Sequence, residues 1–123
     1  MQDHALVWVV DDDESLRESL TDLLREVGFA VRTFVSAAEF LASDSVDRTG
    51  CLILDVAMPG MSGPDLQQEL VRLGYDIPIV FITGNAEESV RRLVLERGAV
   101  AYLLKPFTDT TLLDAVNLAL RER

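Results

Sequence analysis

Four short apolar runs in this chain end in side chains that could handle a phosphoryl group or a cation. They are followed by Asp11 and Asp12, by Asp55, by Thr83 and by Lys105. An aspartate can act as a nucleophile toward phosphorus and form an acyl phosphate, provided that the charge on the phosphoryl oxygens is neutralised. A lysine can supply part of that charge, and a threonine hydroxyl can hydrogen-bond a phosphoryl oxygen. Together these residue types predict phosphoryl transfer onto an aspartate.

The three aspartates also indicate a metal site. If Asp11, Asp12 and Asp55 meet, their carboxylates repel one another and raise each other's pKa unless a cation is present. Oxygen ligands favour a hard cation, and Mg²⁺ is usually held by one or two carboxylates, water and phosphate oxygens. The Asp, Asn and Gly pattern of an EF-hand calcium loop is absent from the sequence. We therefore expect Mg²⁺ as the cofactor.

Each of these residues also has an ordinary structural role when taken alone. Asp11 and its acidic neighbours could cap the next helix, because acids favour helix N-termini. Asp55 could form a turn, and Thr83 and Lys105 could be a turn residue and a solvated charge. Only the meeting of all of them at one place would indicate a site, so the prediction depends on the fold.

The elements that would bring them together are short β-branched runs alternating with longer stretches of helical periodicity, a pattern that predicts an α/β fold with a doubly wound parallel sheet. Five strands are expected, over residues 6–10, 30–34, 51–54, 77–82 and 100–104. Five helices are expected between and after them: one with an apolar stripe over residues 16–27, a short one opened by Ser36 and Glu39, one over residues 66–73, one capped by Asn85 with Glu88, and one capped by Thr108 or Asp109.

Parallel strands joined by right-handed helical crossovers have their carboxyl ends at the same edge of the sheet. In open α/β sheets, that edge is where ligands bind. Asp11, Asp12, Asp55, Thr83 and Lys105 all follow predicted strands. The topology therefore predicts that these five residues converge, although nearly the whole chain separates the first from the last.

The length and composition fit one soluble domain. The chain has 123 residues, of which 49% are hydrophobic, enough for a single core, so we expect one domain over residues 1–123. Charged residues make up 26% of the chain, and no run approaches the roughly 18 apolar residues that a membrane span needs. No membrane association is expected.

Other bulk features narrow the partners and the compartment. Residues 1–4 carry no basic segment followed by a long apolar stretch, so nothing predicts export and we expect a cytoplasmic protein. A formal net charge of -10 without clustered basic residues argues against nucleic acid binding by this chain, because a polyanion would be repelled. Cys51 is the single cysteine, which excludes an internal disulfide, and its apolar neighbours predict a buried, unreactive thiol.

Four segments, in order along nearly the whole chain, resemble the receiver motifs of two-component response regulators. They read Val-Val-Asp-Asp-Asp-Glu at 9–14, Leu-Asp-Val-Ala-Met-Pro-Gly-Met-Ser-Gly at 54–63, Ile-Thr-Gly at 82–84 and Tyr-Leu-Leu-Lys-Pro-Phe at 102–107. Residues 28–29, 36–41 and the turn at 59–63 resemble FixJ-like receivers in particular. The resemblance implies the flavodoxin-like strand order 2-1-3-4-5 with five helices.

The resemblance also implies a role for each matched residue. Asp55 matches the phosphoacceptor. Asp11 and Asp12 match the acidic pair that binds Mg²⁺, with Asp12 the more direct ligand, and the backbone carbonyl of Ala57 completes the protein ligands of the metal. Thr83 matches the switch hydroxyl.

Further along the chain, Lys105 matches the phosphate-binding lysine and Tyr102 the aromatic switch residue. The Lys105–Pro106 bond is expected to be cis, an isomer that occurs chiefly before proline. In the family that the sequence resembles, main-chain amides near Val56, Ala57 and Gly84 can contact the phosphoryl group.

The implied partner is a sensor histidine kinase, whose phosphohistidine is the donor. The chain would catalyse its own phosphorylation and dephosphorylation, and it is not an enzyme with ordinary turnover. The surface of the fourth helix, the fifth strand and the fifth helix would then change and form a homodimer. By analogy with FixJ-like proteins, the output would be transcription through a C-terminal DNA-binding domain that lies outside this chain.

Three alternatives stay open at this point. An aspartyl phosphohydrolase of the haloacid dehalogenase type would use the Asp-x-Asp pattern of residues 11–13, with Asp11 as the nucleophile. A flavodoxin-like cofactor binder would need small residues after the first strand, where this chain has acids that repel an anionic cofactor. A receiver that only binds partners would not need Asp55, Thr83 and Lys105 together.

Overall fold

Five strands form one parallel sheet in the order β2-β1-β3-β4-β5. This computed structural model of the protein describes residues 6–121. The strands are β1 Leu6–Val10, β2 Ala30–Phe34, β3 Cys51–Asp55, β4 Ile79–Thr83 and β5 Ala101–Leu104. The predicted fold class and strand order are confirmed.

Five α-helices connect and follow the strands. They are α1 Glu14–Glu26, α2 Ala37–Ala42, α3 Gly63–Arg72, α4 Glu88–Glu96 and α5 Asp109–Arg121, and a single 3-10 turn, Val46–Arg48, precedes β3. The hydroxyl of Ser36 accepts a hydrogen bond from the Glu39 amide at 3.0 Å, as expected at the start of α2. The Thr108 hydroxyl accepts from the Thr111 amide at 3.0 Å, so Thr108 rather than Asp109 caps α5.

Alternate strand positions fill two separate cores, one on each face of the sheet. Helices α2, α3 and α4 cover one core, whose buried residues include Trp8, Val10, Phe34, Phe40, Leu54, Leu66, Phe81 and Val94. Helices α1 and α5 cover the other core, whose buried residues include Val7, Val9, Leu20, Leu24, Ile53, Ile82, Leu112 and Val116. The sheet is therefore doubly wound, as predicted. No helix within residues 6–121 is long and apolar enough to cross a membrane.

Several predicted boundaries differ from the structure by one to three residues, including the start of β5 at Ala101 rather than at residue 100. Two of the differences have identifiable reasons. β4 begins at Ile79 rather than at residue 77, because Pro78 has no amide hydrogen to add to the sheet. Asn85 does not cap α4: the N-cap residue is Glu87, and no side chain caps the helix. The backbone of Asn85 is instead hydrogen-bonded to the hydroxyl of Thr83.

The predicted burial of Cys51 and of the first helix stripe has a mixed outcome. Cys51 is fully buried in β3 as predicted, and burial raises the pKa of its thiol to about 12, which disfavours the reactive thiolate. Leu20 and Leu24 of the α1 stripe are buried, but Val27 is 49% exposed because it follows the last turn of the helix.

Helix α4 is attached to the rest of the molecule differently from its neighbours. Val94 is its one buried residue, whereas α3 and α5 each bury four. The side-chain amide of the buried Gln67 on α3 donates to the Val94 carbonyl at 3.0 Å. Arg97, just after α4, donates to the Pro64 carbonyl at 3.3 Å. Helix α4 therefore has one fully buried side chain, a partly buried Val90 against the same core, and a hydrogen bond from Gln67 of α3.

Candidate functional site

The predicted site residues lie at the carboxyl edge of the sheet. In the parallel register, Val10 pairs with Leu54, Asp55 with Ile82 and Thr83 with Leu104. The residues that follow these positions therefore emerge side by side at one edge, as the topology predicted.

Asp11, the first residue after β1, is fully buried and held on several sides. Its amide donates to the Phe34 carbonyl at 3.2 Å. One carboxylate oxygen accepts from the Asp13 amide at 2.8 Å, and the other lies 3.2 Å from the ammonium of Lys105. A buried carboxylate is stable only with such partners, so the loop after β1 has a defined conformation.

Three carboxylates form a compact cluster at this edge. Asp11, Asp12 and Asp55 each offer an oxygen, and these atoms lie within 4.8 Å of one another. Asp11 and Asp55 are buried, while Asp12 is exposed. A set of oxygen ligands that is open to solvent on one side suits Mg²⁺, which keeps several water ligands. These residues therefore fit the expected metal.

Lys105 brings the nearest positive charge to the cluster. Its Nζ atom lies 3.2 Å from Asp11 Oδ2 and 3.5 Å from Asp55 Oδ1, and its side chain is 26% exposed. The Lys105 amide also donates to the Thr83 carbonyl at 2.8 Å, which ties the chain to the end of β4. The Lys105–Pro106 peptide bond is cis, the isomer that the family resemblance implies.

The electrostatics of Asp55 follow from this arrangement. Burial raises the pKa of the Asp55 carboxyl to about 6, and the charge of Asp11 adds to the rise, whereas Lys105 lowers it. At neutral pH the carboxylate is therefore ionised, but its charge is poorly stabilised while no further cation is bound. A nearby metal ion would stabilise this charge, and reaction of the carboxylate with an electrophile would remove it.

The main chain after Asp55 offers fewer contacts than expected. Ala57 lies on the exposed loop after β3, and within residues 6–121 its carbonyl accepts no hydrogen bond, so it is available as a ligand. The Val56 amide donates to the Ile82 carbonyl at 3.0 Å and extends the pairing of β3 with β4, so this amide is already engaged. Ala57 and Gly84 keep amides that could meet a phosphoryl group.

Thr83 is close to the edge, but its hydroxyl is turned to its own loop. The side chain is buried, and Oγ1 donates to the Asn85 carbonyl at 3.2 Å and accepts from the Asn85 amide at 3.2 Å. The structure therefore brings Asp11, Asp12, Asp55 and Lys105 together, while the Thr83 hydroxyl holds the loop before α4.

Tyr102 contacts the same loop from β5. It pairs with Phe81 in the sheet and is partly buried against the core under α4. Its hydroxyl accepts a hydrogen bond from the Glu87 amide at 3.3 Å. No side chain of the N-cap residue caps α4. The Tyr102 hydroxyl therefore supplies a hydrogen-bond acceptor for the Glu87 amide, which would otherwise be hydrogen-bonded only to water.

Two residues at the site were missed from the sequence. Arg17 of α1 donates to the main-chain carbonyl of Asp11 at 2.7 Å. A Cβ atom on Gly63, at the start of α3, would lie 2.3 Å from the Asp55 carbonyl oxygen, so only glycine fits there. A glycine in the first turn of a helix is unfavourable on its own, and that is the signal that could have marked Gly63. No comparable signal marks Arg17.

The chain is similar to several known proteins over most of its length. It is 52% identical to nodulation protein W of Bradyrhizobium diazoefficiens over 115 residues, 94% of this chain and 51% of that protein. It is 42% identical to the response regulator protein TodT of Pseudomonas putida over 122 residues, 98% of this chain and 54% of that protein. The crystal structure of FixJ-N matches with a TM-score of 0.89 and 39% identity, covering 100% of this chain and 98% of that one.

These similarities confirm the resemblance to FixJ-like receivers. The chain spans about half the length of the curated relatives that it matches. Residues 7–117 match the family profile described as the response regulator receiver domain. On this match, together with the strand order and the identities above, the chain belongs to the response regulator receiver domain family.

Proposed function

We propose that this chain accepts a phosphoryl group on Asp55 from the phosphohistidine of a sensor histidine kinase, in a reaction that requires Mg²⁺. The observation that carries the proposal is one cluster of opposite charges. Oxygens of Asp11, Asp12 and Asp55 lie within 4.8 Å of one another, with the Lys105 ammonium 3.5 Å from Asp55.

The proposed transfer uses Asp55 as the nucleophile. A carboxylate oxygen forms a bond to phosphorus as the phosphorus–nitrogen bond of the phosphohistidine breaks, and the imidazole leaves with the electron pair. Asp55 suits this role because burial and Asp11 leave its charge poorly stabilised. Lys105 is near enough to pair with the new phosphoryl oxygens as a point charge.

Asp11, Asp12, Asp55 and the Ala57 carbonyl would hold the metal. When bound, Mg²⁺ supplies positive charge that offsets the carboxylates and the phosphoryl oxygens. Asp11 is held rigidly by the Asp13 amide and by Lys105, whereas Asp12 is exposed and has no such partner among the described residues. Asp12 is therefore the acid best able to adjust to an incoming ion.

The switch is proposed to start at Thr83. A phosphoryl group brings close to two negative charges, and its oxygens can draw the Thr83 hydroxyl away from the backbone of Asn85. That movement would open space behind Thr83, and the Tyr102 ring could turn inward into it and release the Glu87 amide. The hydrogen bonds that the Thr83 and Tyr102 hydroxyls make to the loop before α4 would thus break together.

The proposed consequence is a population shift at the surface of α4, β5 and α5. Leu93 and Leu104 already expose apolar area there, at 40% and 51%. We propose that this surface forms a symmetric homodimer in the phosphorylated state. The output would be transcription through a DNA-binding domain outside this chain, in the cytoplasm, with no nucleic acid contact by the receiver itself. Relatives that include the transcriptional regulatory protein TdiR of Thauera aromatica support this output.

The phosphoacceptor is tested with acetyl phosphate and Mg²⁺. We expect one acid-stable, base-labile adduct, which peptide mapping locates on Asp55. Asp55→Asn is expected to abolish it and a chelator to prevent it. An adduct that persisted in Asp55→Asn would contradict the proposal, and one lost in Asp11→Asn but kept in Asp55→Asn would favour the haloacid dehalogenase type of mechanism.

The switch is tested with beryllofluoride and Mg²⁺, which together mimic the acyl phosphate. The dimer fraction in analytical ultracentrifugation is expected to rise, and Thr83→Ala is expected to blunt the rise without preventing phosphorylation. If the activated chain stayed monomeric at every concentration, the dimer would be wrong and the same surface would have to dock another protein or domain.

A further inference from the structure

Arg17 makes a contact that its neighbours in sequence do not explain. It lies in the first turns of α1, where Glu14 three residues earlier is at the usual spacing for an ion pair. None of the ion pairs found within residues 6–121 involves Arg17. Its guanidinium instead donates to the main-chain carbonyl of Asp11 at 2.7 Å, a short, charge-assisted hydrogen bond.

That carbonyl belongs to the peptide unit that joins the first two acids of the cluster. The amide of Asp11 is fixed by the Phe34 carbonyl, and its carboxylate by the Asp13 amide and Lys105. Asp12 is exposed, and its side chain forms no hydrogen bond among the described residues. The direction in which Asp12 leaves the loop therefore depends on the plane of the Asp11–Asp12 peptide, whose carbonyl oxygen accepts the hydrogen bond from Arg17.

We propose that Arg17 is a positioning residue for divalent metal binding, which it serves by fixing the Asp11–Asp12 peptide so that both carboxylates face Asp55. The inference rests on the Mg²⁺ site of the proposed function. Arg17 touches neither the metal ligands' carboxylates nor the reacting atoms, so its effect passes through the backbone of Asp11. Groups that orient metal ligands in this way commonly change metal affinity 10-fold or more when removed, to about 100-fold.

The charge of Arg17 would have the opposite effect on the metal. A guanidinium near a cation site repels the cation, so removing it should strengthen Mg²⁺ binding if Arg17 acted only as a charge. Removing a positioning group should weaken Mg²⁺ binding. The sign of the change in affinity therefore separates the two roles.

The test measures the Mg²⁺ dissociation constant of the whole chain by isothermal titration calorimetry, without any phosphodonor. Arg17→Met keeps the length of the side chain but removes its donors, and we expect the dissociation constant to rise about tenfold. Arg17→Lys keeps a donor, and we expect binding close to that of the unaltered chain. Arg25→Met removes an exposed positive charge from the same helix and is expected to change little.

Each other outcome overturns the proposal. A lower or unchanged dissociation constant in Arg17→Met would assign Arg17 to a charge effect or to no effect. A loss that Arg17→Lys failed to restore, or a metal-free Arg17→Met chain that had lost its folded circular dichroism signal, would assign it to the folding of α1. Failure of the proposed function is seen separately, because the unaltered chain would then bind no Mg²⁺, or Asp12→Asn would bind it equally well.

Discussion

The ammonium of Lys105 lies closer to Asp11 than to Asp55, at 3.2 Å against 3.5 Å. One positive charge is thus shared between a fully buried carboxylate and the proposed nucleophile. A metal ion would bind the same carboxylates that the Lys105 ammonium contacts, and a phosphoryl group on Asp55 would pair with that ammonium. Under the proposed function, Lys105 would compete with the metal before phosphorylation and would pair with the phosphoryl group afterwards.

Replacing Lys105 with alanine is expected to separate these two effects. Without the ammonium, the Mg²⁺ dissociation constant should fall roughly fivefold, the equivalent of about 1 kcal/mol of lost repulsion. The phosphorylated state should lose a contact worth about 1.5 to 3 kcal/mol, so dimerisation driven by beryllofluoride should weaken. Titration calorimetry and ultracentrifugation measure the two quantities. Unchanged dimerisation in Lys105→Ala would contradict its role, and Lys105→Arg serves as the control that keeps the charge.

The raised pKa of Asp55 predicts how stability depends on pH. Its value is about 6 in the folded chain against 3.8 for an unperturbed carboxyl, so between these values the folded state binds the extra proton. Without metal, the contribution of Asp55 to the free energy of unfolding should fall as pH rises through that range, by at most about 3 kcal/mol at about 1.4 kcal/mol per pKa unit.

Asp55→Asn mimics the protonated form and removes this cost. In chelator, urea unfolding should therefore show the variant more stable than the unaltered chain by up to about 3 kcal/mol near neutral pH, and equally stable near pH 4. Asp22→Asn, a change at an exposed acid on α1, is the control and should give no such gain. A pH-independent difference would show that the effect of Asp55→Asn is not protonation.

Tyr102→Phe tests the hydroxyl that contacts α4. The variant keeps the ring but loses the acceptor for the Glu87 amide, a hydrogen bond of about 1 kcal/mol. Amide hydrogen exchange at the start of α4 should become faster in the resting chain. The beryllofluoride concentration for half-maximal dimerisation should fall about fivefold, because the resting position of the ring is less stable. Tyr75→Phe removes the other tyrosine hydroxyl and should leave both measurements unchanged. A higher beryllofluoride concentration for half-maximal dimerisation in Tyr102→Phe would contradict the role of this hydrogen bond.

Gly63→Ala is expected to displace α3 from β3 and so to disturb the position of Asp55. The added methyl group would lie 2.3 Å from the Asp55 carbonyl oxygen and 3.1 Å from the Phe81 ring, so α3 must move away from β3. Overpacking of this kind costs about 1 to 3 kcal/mol of unfolding free energy and should also slow phosphorylation by acetyl phosphate. Gly84→Ala is the control for stability, because a Cβ there meets nothing within 4 Å. Equal stability of the two variants would mean that α3 can shift freely.

The convergence of the site could be predicted because it follows from topology. Hydrophobic runs identified the strands, and parallel connection then required Asp11, Asp55 and Lys105 to meet, whatever their rotamers. Helices on both faces of the sheet were expected from the doubly wound pattern, but which helix covers which face was not predicted.

Competition for hydrogen bonds could not be predicted from the sequence. Asparagine is a favourable N-cap residue, but the backbone of Asn85 is hydrogen-bonded to the Thr83 hydroxyl, so Asn85 does not cap α4. The Val56 amide likewise pairs with β4 instead of facing a ligand. Arg17 could pair with Glu14 or reach the Asp11 carbonyl, and only the folded loop decides between them. Such choices depend on side-chain conformations that periodicity does not encode.

The limited burial of α4 makes the free energy needed to move this helix smaller than the free energy needed to unfold the domain. Fully burying a valine contributes about 1.5 to 3 kcal/mol, and Val94 is the one residue that α4 buries. Whole domains are stable by about 5 to 15 kcal/mol, so displacing α4 should cost less free energy than unfolding the sheet and the other helices. The outward face of α4 contributes little to that stability. Substitutions on that outward face should therefore change what α4 can contact while changing the free energy of unfolding little.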